Sequence, residues 1–206
     1  LWACGPLGDT GTNTPSDDAS GHVAGCALDG RAPRVAPGGY YTNGATVCTS
    51  DGQAHLFHGV DRPSLEWSTV GDQISADDFA LMAGWNANVV RIALNQDFWL
   101  SGAAQYDANY GATVAAAVQW AEAAGLDVIL DLHWSDRGDL SVTKSAQQQM
   151  ADANSKEFWS EVAKAYKGDG RVLFELYNEP HDIAWSVWQN GGAASGFTAV
   201  GMQELY

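Results

Sequence analysis

Hydrophobic positions along this chain fall into short runs separated by longer amphipathic stretches. His55 to Asp61 (HLFHGVD) reads as a strand, and a helical pattern follows at 75–85 (SADDFALMAGW) with Ser75 as its N-cap. Ala87 to Leu94 (ANVVRIAL) reads as a second strand, followed by a helix from about 111 to 124 that Gly125 closes as a left-handed cap. Asp127 to His133 (DVILDLH) precedes a long helix predicted from about 145 to 167, closed by Gly168. Arg171 to Tyr177 (RVLFELY) precedes a helix predicted from about 195 to the end. Near-continuous apolar strands alternating with amphipathic helices predict βα units on a parallel sheet.

Upstream of this rhythm the pattern changes. Asn43-Gly44 lies between two short β-prone runs, Tyr40-Tyr41-Thr42 and Ala45-Thr46-Val47-Cys48, and predicts a hairpin with a tight primed turn. Residues 1–37 are rich in Gly, Pro, Ser, Thr, Asp and Asn and read as a linker or loose leader. Residues 38–206 carry the folded unit. Leu1 is not an initiator Met, and Leu205-Tyr206 lies inside a helical pattern, so both ends read as cut.

Charge narrows the partners. The chain has 25 acidic and 10 basic residues, a formal net charge of -15. Such a surface repels phosphate backbones and anionic bilayers, which argues against nucleic acid and membrane docking. Hydrophobic residues make up 46% of the chain, which argues against wholesale disorder, and no run of 18 apolar residues is present. Nine Trp residues suit either a Trp-rich core or a surface that stacks on sugar rings. Cys4, Cys26 and Cys48 all lie in the first quarter, without C-x-x-C spacing, and more than one disulfide pairing is open.

In parallel α/β folds the active groups gather at the carboxyl ends of the strands. A doubly wound dinucleotide fold would place a G-x-G-x-x-G turn after the first strand, and Gly59-Val60-Asp61-Arg62-Pro63 has none. The four strands carry or end in His58-Gly59-Val60-Asp61, Arg91, Asp131-Leu132-His133-Trp134 and Tyr177-Asn178-Glu179-Pro180-His181. One polar residue in such a place would be unremarkable; polar groups on four strands point to a site. Glu179 is its centre, because a strand-end carboxyl flanked by Asn and Pro suits general acid/base chemistry. Its bland alternative is a solvated loop carboxylate.

The segments HLFHGVDRPSLEW, NANVVRIAL, AEAAGLDVILDLHW and VLFELYNEPH resemble glycoside hydrolase family 5, the cellulase family of clan A, in order and spacing. The resemblance runs from about Gly38 to Tyr206 and covers about half of the family's barrel. It implies an α/β fold, a (β/α)8 TIM barrel of which only the first four βα units are present, preceded by a small β-hairpin.

The family's residues carry over by motif. Glu179 matches the acid/base that protonates the leaving glycosidic oxygen, and Asn178 the partner that hydrogen-bonds the sugar 2-hydroxyl. Arg91 matches the Arg that braces the nucleophile carboxylate, and His133 the cleft-lining His. The nucleophile Glu belongs at the end of a seventh strand that this chain lacks. Glu66, in a loop, and Glu204, in a helical pattern, do not match its motif, and Glu175 is expected to pair within the barrel. The first and fourth strands would then be exposed edges.

Trp134 is the best cleft aromatic, with Trp99, Trp185 and Trp188 as further subsite candidates. Trp85, Trp120 and Trp159 read as core. His58 and Asp61 read as buried hydrogen-bonding residues. The spacing of Asp131, His133 and His181 matches no zinc motif, and the resemblance implies neither cofactor nor catalytic metal.

The expected protein is a secreted, extracellular retaining endo-β-1,4-glucanase acting on cellulose or a related β-glucan; whether a carbohydrate-binding module accompanies it in the full length is left open by the sequence. A β-mannanase is the alternative within the family, and a non-catalytic carbohydrate-binding half-barrel the alternative of another class.

Overall fold

The structure is a computed structural model that describes Cys26 and residues 35–206. The leader expected over 1–37 lies outside the described residues apart from Cys26 and 35–37, and Cys4 lies outside them too. Two compact units divide the chain between Leu56 and Phe57.

The first unit holds an antiparallel sheet of β1 (Tyr40–Asn43), β2 (Thr46–Thr49) and β3 (Ala54–His55). The predicted hairpin is present, but its two central residues are Gly44 and Ala45, because Asn43 is still paired with Thr46. Gly44 takes φ 59, the left-handed value that a primed turn needs and glycine adopts without a Cβ clash. Cys26 forms a disulfide with Cys48 of β2, which answers one of the pairings the sequence left open. The Tyr41 hydroxyl donates to the Cys26 carbonyl.

The second unit is built on a parallel sheet of β4 (Gly59–Arg62), β5 (Val89–Asn95), β6 (Asp127–Trp134) and β7 (Val172–Glu175), in that order. Its helices are α1 (Ala76–Gly84), α2 (Gln96–Trp99), α3 (Tyr110–Ala123), α4 (Ser155–Tyr166), α5 (Trp185–Asn190) and α6 (Met202–Leu205). A short hairpin, β8 (Gly192–Ala194) and β9 (Phe197–Ala199), lies between the last two. The strand predicted over 55–61 is therefore split, with His55 in the first unit and Gly59 opening β4.

Strand alternation gives the sheet two different faces. Val90, Ile92 and Leu94 of β5 join Val128, Leu130 and Leu132 of β6 in the core. Against them pack Phe79 and Met82 of α1, Val114, Ala117, Val118 and Ala121 of α3, and Phe158, Trp159 and Val162 of α4. Burying each Leu, Ile, Val or Phe of this set contributes about 1.5–3 kcal/mol. The intervening positions point the other way. Register sets Asp61 beside Arg91 and Asp131 beside Glu175, so charged groups from four strands share the second face. Near-continuous hydrophobicity is thus interrupted at fixed register positions, not only at strand ends.

Two predicted helices are much shorter than expected. Residues 145–154 are irregular and α4 starts only at Ser155. Polar side chains here bond the local backbone, as when the Asp152 amide donates to Ser155 Oγ and the Asn154 amide to Asp152 Oδ1, which competes with helix formation. From 195 onward the chain makes β9 and only a four-residue helix, α6. Gly191, Gly192 and Gly196 have positive φ, which a continuous helix does not accommodate. By contrast α1 and α3 lie within a residue of their predicted bounds, and Gly125 closes α3 at φ 88. Ser75 is the N-cap of α1 but makes no side-chain cap hydrogen bond.

Candidate active site

Arg91 is the hub of the polar face. Its Nε donates to Glu175 Oε2 at 2.7 Å and its Nη2 to Glu175 Oε1 at 3.0 Å, a two-point fork. Nη2 also reaches Asn178 Oδ1 at 2.8 Å and Asp131 Oδ2 at 2.9 Å, and Nη1 reaches Asp61 Oδ1 at 3.3 Å. Burial works against the guanidinium charge, but the hydrogen bond to Glu175 and the charges of Asp131, Glu175 and Asp61 outweigh it and raise the Arg91 pKa. Glu175 is thus held inside this chain by the Arg that the resemblance assigns to a nucleophile.

Asp131 is fully buried. Its Oδ2 takes the His133 Nδ1 contact at 2.6 Å, while Oδ1 has no hydrogen-bond partner among the described residues. Burial pushes the Asp131 carboxyl up to about 6, against the lowering effect of His133 and Arg91. Burial would lower the His133 pKa, but the hydrogen bond and charge of Asp131, joined by Glu66, raise it overall. The ring is placed by a β-bulge that the sequence did not announce: Leu94 faces Leu132, yet Asn95 faces Trp134, so His133 is the extra residue.

Asn178 and Glu179 follow the end of β7. The Asn178 amide nitrogen donates to the Leu132 carbonyl at 2.9 Å, tying this loop to β6. Asn178 is buried, with its side chain between Arg91 and Gln147, and His133 Nε2 is 3.4 Å from its Nδ2. Glu179 itself is exposed, so the partial burial that would suit an acid/base is not provided by this chain. Its backbone is unusual: φ is 44 in a bulky residue that precedes Pro180. Sterics push a residue before proline toward extended backbone, so this left-handed value costs roughly 1–3 kcal/mol.

The remaining candidates separate. Trp134 is half-buried beside His133. Trp185 is 81% exposed and meets Trp188 edge to face at 5.6 Å. Trp99 belongs instead to the helix layer, packed on Tyr110 and Phe158 with its Nε1 on Glu161. Trp85, expected in the core, is exposed, as is His58, expected to be buried. Asp61 is also exposed and pairs with Arg91. Glu66 is buried and accepts from the Ser64 amide, and burial raises its pKa. Glu204 pairs with Lys156 on α4.

Sequence reasoning missed two further groups. Gln147 lies in the stretch predicted as helix, yet its side chain contacts Asn178. Asp97, Asp136 and Asp152 form a buried acidic trio, bridged by Gln96 Nε2 at 3.0 Å from Asp136 and 3.1 Å from Asp152. An amide donor sits between these carboxylates, and among the described residues no group of three His, Cys, Asp or Glu is arranged to hold a metal ion. Burial, reinforced by the Asp136 charge, pushes Asp97 up to about 8.

A family model described as Cellulase (glycosyl hydrolase family 5) matches residues 48–199. Endoglucanase MaCel5A of Microbulbifer sp. (strain ALW1) is 25% identical over 160 residues, covering 77% of this chain and 29% of that protein. A solved structure described as a thermostable, halotolerant GH5 cellulase from an Icelandic hot spring isolate matches with TM-score 0.51 and 23% identity, over 77% of this chain and 46% of that one. The catalytic domain of a mannanase from Streptomyces sp. SirexAA-E matches with TM-score 0.52 and 16% identity, over 73% and 43%. Likeness at these identities speaks to fold alone, and the fold it implies is a TIM barrel, consistent with the parallel sheet of this chain. The chain spans less than half the length of the curated relatives it matches.

Proposed function

The chain belongs to glycosyl hydrolase family 5, and on that premise we propose that it carries the acid/base side of a retaining endo-β-1,4-glucanase site. The observation that carries this reading is the strained backbone of Glu179, φ 44 before Pro180, next to an Asn178 side chain held by Arg91 and Gln147. Strain of this kind persists only where the surrounding structure over-determines it, and it clusters at functional sites.

In this reading the described sheet is the first half of an eight-stranded barrel. Glu179 gives its proton to the glycosidic oxygen as the C–O bond breaks, and later takes a proton from the attacking water. Asn178 donates to the sugar 2-hydroxyl, a bond that strengthens as the ring approaches an oxocarbenium ion. The nucleophile is a carboxylate of the other half, about 5–5.5 Å from Glu179. Arg91 and His133 lie beside Asn178 where that pair would meet the sugar, and Trp134 offers a ring to a sugar face. The substrate is a neutral polysaccharide, cellulose or a related β-glucan, met outside the cell by a secreted enzyme.

The test uses the full-length protein. Glu179→Gln should lower cellulose hydrolysis by about 10²–10⁴-fold and leave cellulose binding intact. An aryl cellobioside whose leaving group needs no proton should lose much less in its glycosylation step. Unchanged hydrolysis in Glu179→Gln would remove Glu179 from the mechanism. A wild-type protein that binds glucan but releases no reducing ends would make the chain part of a binding module. The likeness to a mannanase structure supports one second reading: reducing ends from β-mannan and none from β-glucan would establish it.

A further inference from the structure

We infer that Gln147 is a positioning residue that sets the plane of the Asn178 amide, an inference that rests on the acid/base reading above. The assignment of every atom follows from hydrogen-bond chemistry. Gln147 Nε2 lies 2.7 Å from the Asn178 carbonyl and 2.9 Å from the Gln148 carbonyl. Carbonyl oxygens only accept, so this end of the Gln147 side chain must be the nitrogen. Its other end, Oε1, is then an acceptor and takes a hydrogen from Asn178 Nδ2 at 2.6 Å. The Asn178 oxygen in turn faces Arg91 Nη2 at 2.8 Å, a group that only donates. Both ends of the chain of bonds demand the same orientation.

The consequence concerns the second Nδ2 hydrogen. Arg91 fixes which end of the Asn178 amide is oxygen, but a single contact leaves the amide plane free to rock. Gln147 removes that freedom by holding one Nδ2 hydrogen. Among the described residues the second hydrogen has His133 Nε2 as its one hydrogen-bond contact, at 3.4 Å, a long contact that a ligand hydroxyl can replace. Gln147 therefore aims that hydrogen at the substrate 2-hydroxyl.

The neighbouring glutamines hold the same loop. The His181 amide donates to the Gln149 carbonyl at 3.1 Å, and the Tyr177 hydroxyl to the Gln148 carbonyl at 3.3 Å. The segment thus straps the loop on both sides of Glu179, which accounts for a left-handed Glu before proline staying in place. Within it, Gln147 alone bonds both the main chain and the side chain of Asn178.

The experiment compares aryl β-cellobiosides with and without the 2-hydroxyl on the sugar that is cleaved, using the full-length protein. Gln147→Ala should lower kcat by about 10–100-fold on the 2-hydroxy substrate, the scale of a small misplacement of a reacting contact, with KM little changed. On the 2-deoxy substrate it should change kcat less than about twofold, and in an Asn178→Ala background it should add no more than about twofold. Equal losses on both substrates, additive losses with Asn178→Ala, or no loss at all would each overturn the inference. If Gln147→Ala does not fold, Gln147→Met serves: it is close in volume and removes both the acceptor for Asn178 Nδ2 and the donors, and the same substrate comparison applies. An inactive wild type, or a fully active Glu179→Gln, would instead be a failure of the acid/base reading and is recognised separately.

Discussion

The Nδ1 atom of His133 lies 2.6 Å from Oδ2 of Asp131, the same oxygen that is ion-paired with Arg91 Nη2 at 2.9 Å. The His133 ring and the Arg91 guanidinium converge on one buried carboxylate oxygen, and the ring of His133 is oriented by it. A histidine held in this way has one nitrogen committed and presents the other, Nε2, toward Asn178.

Asp131→Asn should therefore lower the His133 pKa, because the residue that raises it loses its charge. The sign for stability follows. A His raised above its ordinary value of about 6.5 stabilises the fold fully below that pH and loses the contribution as pH rises through the folded pKa. Asp131 adds a slope of the same sign at lower pH: with a folded value of about 6, its penalty grows and stability falls as pH rises from about 4 to 6. NMR titration of the His133 ring in both proteins reads the shift, and an unchanged midpoint would contradict the assignment.

Arg91→Ala should destabilise the protein by about 3 kcal/mol, since it strands Glu175 and the fully buried Asp131 without their cation. Arg91→Lys should recover only part of this, because a point charge cannot reproduce the fork on Glu175. Urea unfolding of the three proteins decides it. Equal stability of Lys and Arg at this position would show that charge alone matters.

The acidic trio gives a pH slope of opposite character to a salt-bridged carboxylate. Asp97 folds with a value near 8 against about 3.9 when unfolded. Between those limits the native state holds a proton that the unfolded chain has released, so stability falls as pH rises across that window. No ion pair among the described residues reaches Asp97, Asp136 or Asp152 to offset it. Thermal melts from pH 5 to 9 should fall more steeply for the wild type than for Asp97→Asn. Parallel curves would show that Asp97 is ionised throughout.

Trp185→Ala should leave the melting temperature nearly unchanged, because the ring is 81% exposed. If Trp185 is a sugar platform, the variant should raise KM for long cello-oligosaccharides at a cost on the order of 1 kcal/mol, with shorter substrates unaffected. A lower melting temperature with unchanged KM would make the Trp185 and Trp188 pair a packing contact.

Some of this was legible along the chain and some was not. The rhythm of apolar runs located α1, α3 and the four parallel strands, because burial of one face imposes its period directly on the sequence. The same reasoning extended a helix back to 145, where Ser145, Gln147 and Asp152 bond distant partners instead. Periodicity records which residues are apolar, not which polar residues find a hydrogen-bond partner across the fold. Gln147 carried no signal for this reason, and neither did the bulge that turns His133.

By itself the sequence determined the alternation of strand and helix, the family, and the strand-end cluster of Arg91, His133, Asn178 and Glu179 as candidates. Each of these is written in local pattern or in a contiguous motif. Only the tertiary structure decided that Arg91 grips Glu175 and Asp131, that Gln147 orients Asn178, that Trp99 faces the helices, and that three carboxylates meet in the interior. Arg91 and Glu175 lie 84 residues apart, and Asp97 and Asp152 lie on separate segments. Sheet register and loop path bring such groups together, and hydrogen-bond geometry depends on distances of a few tenths of an ångström that no linear spacing encodes.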